Sequence, residues 1–353
     1  MFFLTGFPGF LGTRLVDTLA AQHPKAEFAL LVQPKFEAKA QRTLATLTLT
    51  DRATIFQGDI TAPDLGLGAA YDELTGQITK AFHLAAIYDL SIARPLGWRV
   101  NVDGTRHVVD FLARCPHLEA FGYVSTAYVS GRRTGTIYED ELVHTEGFKN
   151  HYEETKYHAE LVVQARRDAI PTVIFRPGIV VGDSQTGATD KFDGPYYILQ
   201  ALRRLPRLTL MTKIGSGQHP VNLVPINFVV AAMAHLIQHP DARGSVFHLT
   251  DPNPMTTQAI LELFTDLLDM RAAFVPVPPR FARMLLEAGV GPYLGIAPEL
   301  IDYFDFPARY DSSHAQRLLG DAGIACPPLD AYAHRMVAFL REHGPEVRST
   351  AMY

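Results

Sequence analysis

Tyr152 and Lys156 stand four residues apart in His151-Tyr152-Glu153-Glu154-Thr155-Lys156-Tyr157, within a stretch of helical apolar spacing. Both side chains therefore share one helix face, one turn apart. That pairing suits proton transfer. A free phenol has a pKa of about 10, and a neighbouring ammonium favours the phenolate, drawing the value toward working pH. A tyrosine beside a lysine is also common on ordinary helix surfaces, so the pair gains meaning from what precedes it. In Tyr123-Val124-Ser125-Thr126-Ala127-Tyr128-Val129-Ser130-Gly131, two hydroxyls close an apolar strand candidate just before the tyrosine helix. Ser125 or Thr126 can hold a substrate carbonyl there, positioning it for hydride and orienting the phenol proton. The bland alternative is that the two hydroxyls only terminate a backbone ladder.

A second set opens the chain. Thr5-Gly6-Phe7-Pro8-Gly9-Phe10-Leu11-Gly12 follows the first apolar run and leads into the first helical stretch. In that setting one glycine permits a tight turn, one lets backbone approach a pyrophosphate, and one lets the helix pack close to the sheet. The helix N-terminus supplies unpaired N–H groups for the phosphates. After the second strand the chain reads Val32-Gln33-Pro34-Lys35, with no carboxylate until Glu37. An acidic residue there usually bonds the ribose hydroxyls of NAD, so its absence, with Lys35, Arg42 and Arg14 available to a 2′-phosphate, favours NADP(H) over NAD(H). Asp59 and Ile60 follow the third strand and are expected at the adenine; Leu84, Ala85 and Ala86 end the fourth on the cofactor side.

The elements that must position these groups alternate. Short apolar runs at 2–4, 28–32, 81–84, 121–124 and 172–175 lack period-two alternation, as strands covered on both faces do. Helical candidates lie between and after them near 13–22, 36–47, 96–114 and 148–168. The expected fold is α/β, a Rossmann-type doubly wound parallel sheet. After Pro177 the rhythm changes: 227–239 and 256–269 look helical, 279–343 reads as short helices broken by Gly and Pro, and few strands are expected. The expected organisation is an NAD(P)-binding core at 1–180 with further core segments about 220–250. A smaller, mainly helical substrate lobe then takes 181–219 and 251–343, and 344–353 forms a tail.

Composition narrows the partners. The 353 residues carry 32 Lys and Arg against 37 Asp and Glu, a net charge of −5 without a basic face, which argues against a nucleic-acid partner. With 47% hydrophobic and 20% charged residues, the chain is an ordinary globular one. No basic leader or long apolar run is evident, so neither secretion nor a membrane span is expected, and the chain reads as cytoplasmic. Two cysteines, Cys115 and Cys326, imply no disulfide framework. The histidines fall in no metal-ligand spacing, so no metal is expected. Gly215-Ser216-Gly217 is not a nucleophile elbow. Tyr303-Phe304-Asp305-Phe306 is either core or the lining of an apolar acyl tunnel.

In combination, the glycine turn, the strand-end hydroxyls and Tyr152 with Lys156 follow the order and spacing of the short-chain dehydrogenase/reductase superfamily, and the chain resembles its extended branch. More narrowly, TGFPGFLG, FHLAAIYDL, NVDGTRHVVD, YVSTAYVSG, YEETKYHAE and FRPGIVVGDSQTG resemble the thioester-reductase and fatty acyl-CoA reductase group, the male-sterility proteins, over about residues 1–250. The resemblance implies Thr126 as the carbonyl-binding hydroxyl with Ser125 its close rival, Tyr152 as the acid, and Lys156 as its partner and a ligand of the nicotinamide ribose. It further implies that Asn101 helps order the site and that Arg176, Pro177, Gly178 and Ile179 border the nicotinamide. Gln33 departs from the arginine that many acyl-reductase relatives carry, and no adenylation or carrier module is seen.

The expected activity is therefore NAD(P)H-dependent reduction of a small-molecule carbonyl or acyl thioester, of acyl-CoA or aldehyde type, by a chain that the family habit would make a homodimer. A nucleotide-sugar epimerase or dehydratase with tightly held NAD, and a hydroxysteroid-type dehydrogenase, are alternatives. A third is a binding protein that keeps the fold without chemistry, since fold alone does not establish activity.

Overall fold

The computed structural model describes residues 1–47, 49–285, 287–288, 301–304 and 306–344. Asp305 of the aromatic cluster and the expected tail beyond Gly344 lie outside them.

Seven strands make one sheet: β1 (Phe2–Thr5), β2 (Phe28–Val32), β3 (Ala53–Gln57), β4 (Lys80–His83), β5 (Ala120–Val124), β7 (Thr172–Pro177) and β11 (Val246–Leu249). Every pairing is parallel, in the order β11-β7-β5-β4-β1-β2-β3. The chain runs outward from β1 to β3 and then returns to the other side with β4. Two neighbouring strands whose connections leave in opposite directions open a crevice at their carboxyl ends, and here those strands are β1 and β4.

β1, β2, β5, β7 and β11 are buried at every residue, which is why their sequences show no alternation. On one face, α1 (Phe10–Gln22) packs Leu15, Val16 and Leu19 against the sheet beside Val229 and Met233 of α8 (Ile226–Leu236). The shorter α2 (Glu37–Leu44) and α3 (Ala70–Thr75) fill the connections on either side of β3. On the other face, Val108, Phe111 and Leu112 of α5 (Gly104–Leu112) meet Ala159 and Val163 of α6 (His151–Gln164). A third apolar cluster builds the lobe from Tyr196 and Leu199 of α7 (Pro195–Arg203), Ile260 and Phe264 of α9 (Thr257–Leu267), and Tyr332, Met336 and Leu340 of the helix Leu329–His343.

Three features depart from the sequence pattern. The helix expected at 96–114 is divided into α4 (Arg94–Gly97), a π-helical turn (Trp98–Asp103) and α5. After Pro177 the described residues form six strands rather than few. Besides β11 these are β8 (Ile179–Val181) with β10 (Leu223–Pro225), β9 (Leu208–Ile214) with β12 (Arg271–Val277), and β13 (Ala308–Tyr310), which pairs with β6 (Gly135–Ile137). Three-residue strands are too short to show a period, and Pro276 interrupts β12. Finally, the helix Ser313–Gly320 leaves the lobe: Ala315, Leu318 and Leu319 join the α1–α8 cluster under the sheet.

Candidate active site

The crevice between β1 and β4 widens into a cavity of about 390 Å³. Its first wall is the glycine turn, Thr5 to Gly12. Gly6 takes φ +88°, and a Cβ on it would lie 2.8 Å from Leu84 Cβ and 2.9 Å from Ala85 N. A Cβ on Gly12 would stand 2.4 Å from Gly6 O. Backbone thus presses on backbone where only hydrogen fits. α1 begins after Gly9 without a side-chain cap or an acidic residue in its first turn, which leaves amide N–H groups for an anion. These observations fit the pyrophosphate of a dinucleotide. Thr5 Oγ1 ties the turn to the end of β4 by accepting the N–H of Leu84 at 3.2 Å and of Ala85 at 3.1 Å.

Gln33, Ile60, Leu84, Ala85 and Ala86 continue the wall. Asp59 stands one layer back. Its carboxylate accepts Gln33 Nε2 at 2.9 Å and Thr61 N at 2.8 Å, so it fixes the side chain of Gln33 at the wall. Lys35 does not line the cavity either; its exposed ammonium lies 4.9 Å from the ring centre of Phe36, which does.

Opposite the turn stands α6. Asn150 caps it by accepting Glu153 N at 3.0 Å, which sets the helix start so that Tyr152 and Lys156 both reach the cavity. Lys156 Nζ donates to Tyr123 Oη at 3.0 Å and to Val124 O at 2.7 Å. Burial, with the charge of Glu153, pushes the Tyr152 phenol above its ordinary range, so the phenol holds its proton rather than yielding it toward a nearby ammonium. Burial also pulls Lys156 down to about 7, against the opposing pull of Glu160. The Tyr152 ring meets Tyr88 edge-on at 5.1 Å.

The two strand-end hydroxyls part company. Ser125 Oγ donates to Glu160 Oε2 at 2.5 Å and has no second proton. Thr126 Oγ1 accepts Tyr128 N at 3.3 Å while it lines the cavity. Its proton is thereby available to a substrate oxygen.

Pro177, Gly178 and Ile179 border the cavity, but Arg176 does not. On a fully buried strand successive side chains point to opposite faces. Arg176 points to the α6 side, where its guanidinium clasps Glu160 through Nε at 3.1 Å and Nη2 at 2.6 Å and donates to Glu141 O at 2.9 Å. Its place at a cofactor, expected from the sequence, is corrected to that of Glu160's counter-ion. Asn101, in the π-helical turn, does not line the cavity itself but stands directly behind Ile87, which does. Its Oδ1 accepts Ile87 N at 2.8 Å and its Nδ2 donates to Thr155 Oγ1 at 3.0 Å, which clamps the loop after β4 to α6.

The remaining wall belongs to the lobe and to the loop after β4. Leu90, Ile198, Val221, Leu223, Ile260 and Leu261 make it apolar, and Tyr88, Lys191 and Asp193 give it its polar groups. None of these was singled out from the sequence, since they gather only when the lobe folds over the sheet. Tyr303 lines it too and donates to Glu153 Oε1 at 2.7 Å, pinning the lobe to the start of α6. No helix among the described residues is long and apolar enough to cross a membrane. Both thiols are free, Cys115 buried and Cys326 partly so.

Comparison with known proteins matches this architecture. The family model described as male sterility protein matches residues 4–233. A linear gramicidin synthase chain of Brevibacillus parabrevis is 29% identical over 266 residues, covering 71% of this chain and 5% of that protein. The fatty acyl-CoA reductase wat of Drosophila melanogaster is 25% identical over 271 residues, covering 65% of this chain and 52% of that protein. Glycine betaine reductase ATRR of Emericella nidulans is 28% identical over 302 residues, covering 78% of this chain and 22% of that protein. The chain thus spans only a part of these curated relatives. Among solved structures, the terminal R domain of the myxalamid PKS-NRPS pathway superposes with a TM-score of 0.83 at 24% identity, over 100% of this chain and 92% of that one. With well over half of its length matched by the family model, the chain belongs to the male sterility protein family, within the extended short-chain dehydrogenases/reductases.

Proposed function

We propose that the chain is an NAD(P)H-dependent reductase of a carbonyl or acyl-thioester substrate of acyl-CoA or aldehyde type. The observation that carries this reading is one cavity into which Thr126 offers a free hydroxyl and Tyr152 a retained proton, facing a glycine turn built for a pyrophosphate and closed by an apolar wall. Relatives named as fatty acyl-CoA reductase and as aldehyde reductase support it.

Bound at the turn, the reduced nicotinamide supplies a hydride. Thr126 donates a hydrogen bond to the substrate oxygen, fixing the carbonyl and stabilising the charge that grows on it. Tyr152 then gives that oxygen its proton, completing an alcohol. With a thioester, the same two groups stabilise the tetrahedral oxyanion until the carbon–sulfur bond breaks, the thiolate leaves with a proton, and an aldehyde remains. Lys156 holds positive charge beside the nucleotide and the phenol. Asn101 and Asn150 position the helix and loop that carry these groups. Lys35, beside Phe36 of the wall, is the cation offered to a 2′-phosphate, and NADP(H) is preferred on that ground.

The test is a paired NADH and NADPH titration followed by a consumption screen over acyl-CoAs, aldehydes and sterols. Tyr152→Phe is expected to keep dinucleotide affinity and lose about 10²-fold or more in turnover. Wild-type turnover in that variant removes Tyr152 from the mechanism. Tightly bound NAD after purification, with no consumption of either reduced form, points instead to an epimerase.

A further inference from the structure

Lys156 is held by a residue that the reaction itself does not use. Tyr123, the last residue but one of β5, is fully buried, with its hydroxyl 3.0 Å from Lys156 Nζ and its ring centre 4.6 Å from that ammonium. Behind it runs a buried chain of neutral groups whose protons can be assigned one by one. Thr105 Oγ1 donates its single proton to Asn101 O at 2.6 Å, so it accepts from His83 Nε2 at 3.0 Å. His83 therefore carries its proton on Nε2, and its Nδ1 accepts the proton of Thr5 Oγ1 at 2.7 Å. Thr5 in turn accepts the two N–H groups at the end of β4. Tyr123 packs its ring on His83, the ring centres 5.8 Å apart, and its oxygen accepts from Lys156. Val124 O takes a second ammonium proton, which leaves the third for the cavity.

We infer that Tyr123, its ring packed on His83 and His83 held by Thr5 of the glycine turn, is the positioning residue that keeps the Lys156 ammonium charged and aimed. The groups facing that ammonium support this assignment. Glu160, one turn further on α6, attracts it but is itself shared between Ser125 and Arg176 of β7. Tyr152 lies one turn earlier and stays neutral. His83 of β4 is buried and neutral. The phenol oxygen and Val124 O are thus its direct acceptors, and the phenol is the one that substitution can remove. The chain also joins the two halves of the site: Thr5 belongs to the dinucleotide cradle and Lys156 to the proton-transfer set.

The relevance to catalysis rests on the reductase reading, but Lys156 can be titrated without turnover. In protein carrying ¹³Cε-lysine, its resonance is assigned by loss in Lys156→Arg and followed by NMR across the acid and alkaline sides of its midpoint. Tyr123→Phe keeps the ring and removes the acceptor. Its Lys156 midpoint is expected to fall by about one unit, the size of effect a hydrogen bond to the charged form has. The alkaline limb of kcat should move down with it, while kcat at pH 6 stays within about threefold. A Lys156 midpoint unmoved in folded Tyr123→Phe overturns the assignment, whatever happens to melting temperature. Should that variant not fold, Tyr123→Leu removes the same acceptor and is expected to lower the midpoint; no change there overturns the inference equally. A lowered midpoint in a protein that reduces nothing leaves the network standing and removes the reductase reading instead.

Discussion

Ser125 Oγ gives its only proton to Glu160 Oε2 over 2.5 Å. That bond favours Thr126 over its neighbour, although both line the cavity, because a serine already donating to a carboxylate has none left for a carbonyl. Ser125→Ala is accordingly expected to keep turnover within about fivefold, whereas Thr126→Val loses about 10²-fold with dinucleotide affinity retained. Single-turnover rates on both variants check this; the reverse ranking would make Ser125 the substrate hydroxyl.

Gly12 offers a test of the cradle. A methyl group there meets Gly6 O at 2.4 Å, a backbone atom that cannot rotate away, so the turn itself must move. Gly12→Ala should weaken dinucleotide binding by about 10²-fold or more while the sheet, whose core lies elsewhere, still folds. Fluorescence titration gives the dissociation constant, and unchanged affinity in the variant would dismiss the turn as the phosphate site.

Stability should fall in acid through two imidazoles. Burial, with Lys156 beside one and Arg176 beside the other, pulls His83 and His248 down from 6.5 to about 3. Between those values the unfolded chain takes up protons that the folded one refuses, so the stability is full above 6.5 and is lost as pH falls toward 3. Glu139, raised by burial to about 7, works the other way down to 4.5, because its folded form binds a proton first. These three groups together should cost about 1.4 kcal/mol per pH unit between pH 6 and 5. Urea unfolding at several pH values measures the slope; a flat profile would mean that one of the imidazoles is charged in the folded protein.

The legible parts of this molecule are those whose partners are near in sequence. The turn from β1 into α1 is local chemistry, and Tyr152 with Lys156 share a helix face by spacing alone. Glu160 is legible in the same way, four residues beyond Lys156, but nothing in the spacing shows that it reaches Ser125, 35 residues earlier. Arg176 is misplaced by its sequence because β7 is buried throughout and its composition cannot tell one face from the other. Tyr123 and His83 read as apolar strand filling for the same reason. Lys191 and Asp193 face the cavity only after the lobe closes over the sheet, which no local pattern records.

Arg176 and Glu160 make the last prediction. Both are buried and bonded through two guanidinium nitrogens, so removing one partner strands a charge in a medium that cannot solvate it. Arg176→Met should destabilise by about 3–5 kcal/mol, and adding Glu160→Gln, which removes the stranded charge but still accepts from Ser125, should recover a large part. Dinucleotide affinity of the folded single variant, measured at low temperature, should stay within about threefold, because the side chain is taken up by Glu160 and does not line the cavity. The opposite pattern, with stability intact and affinity lost, would return Arg176 to the cofactor and require its side chain to leave Glu160 when the dinucleotide binds.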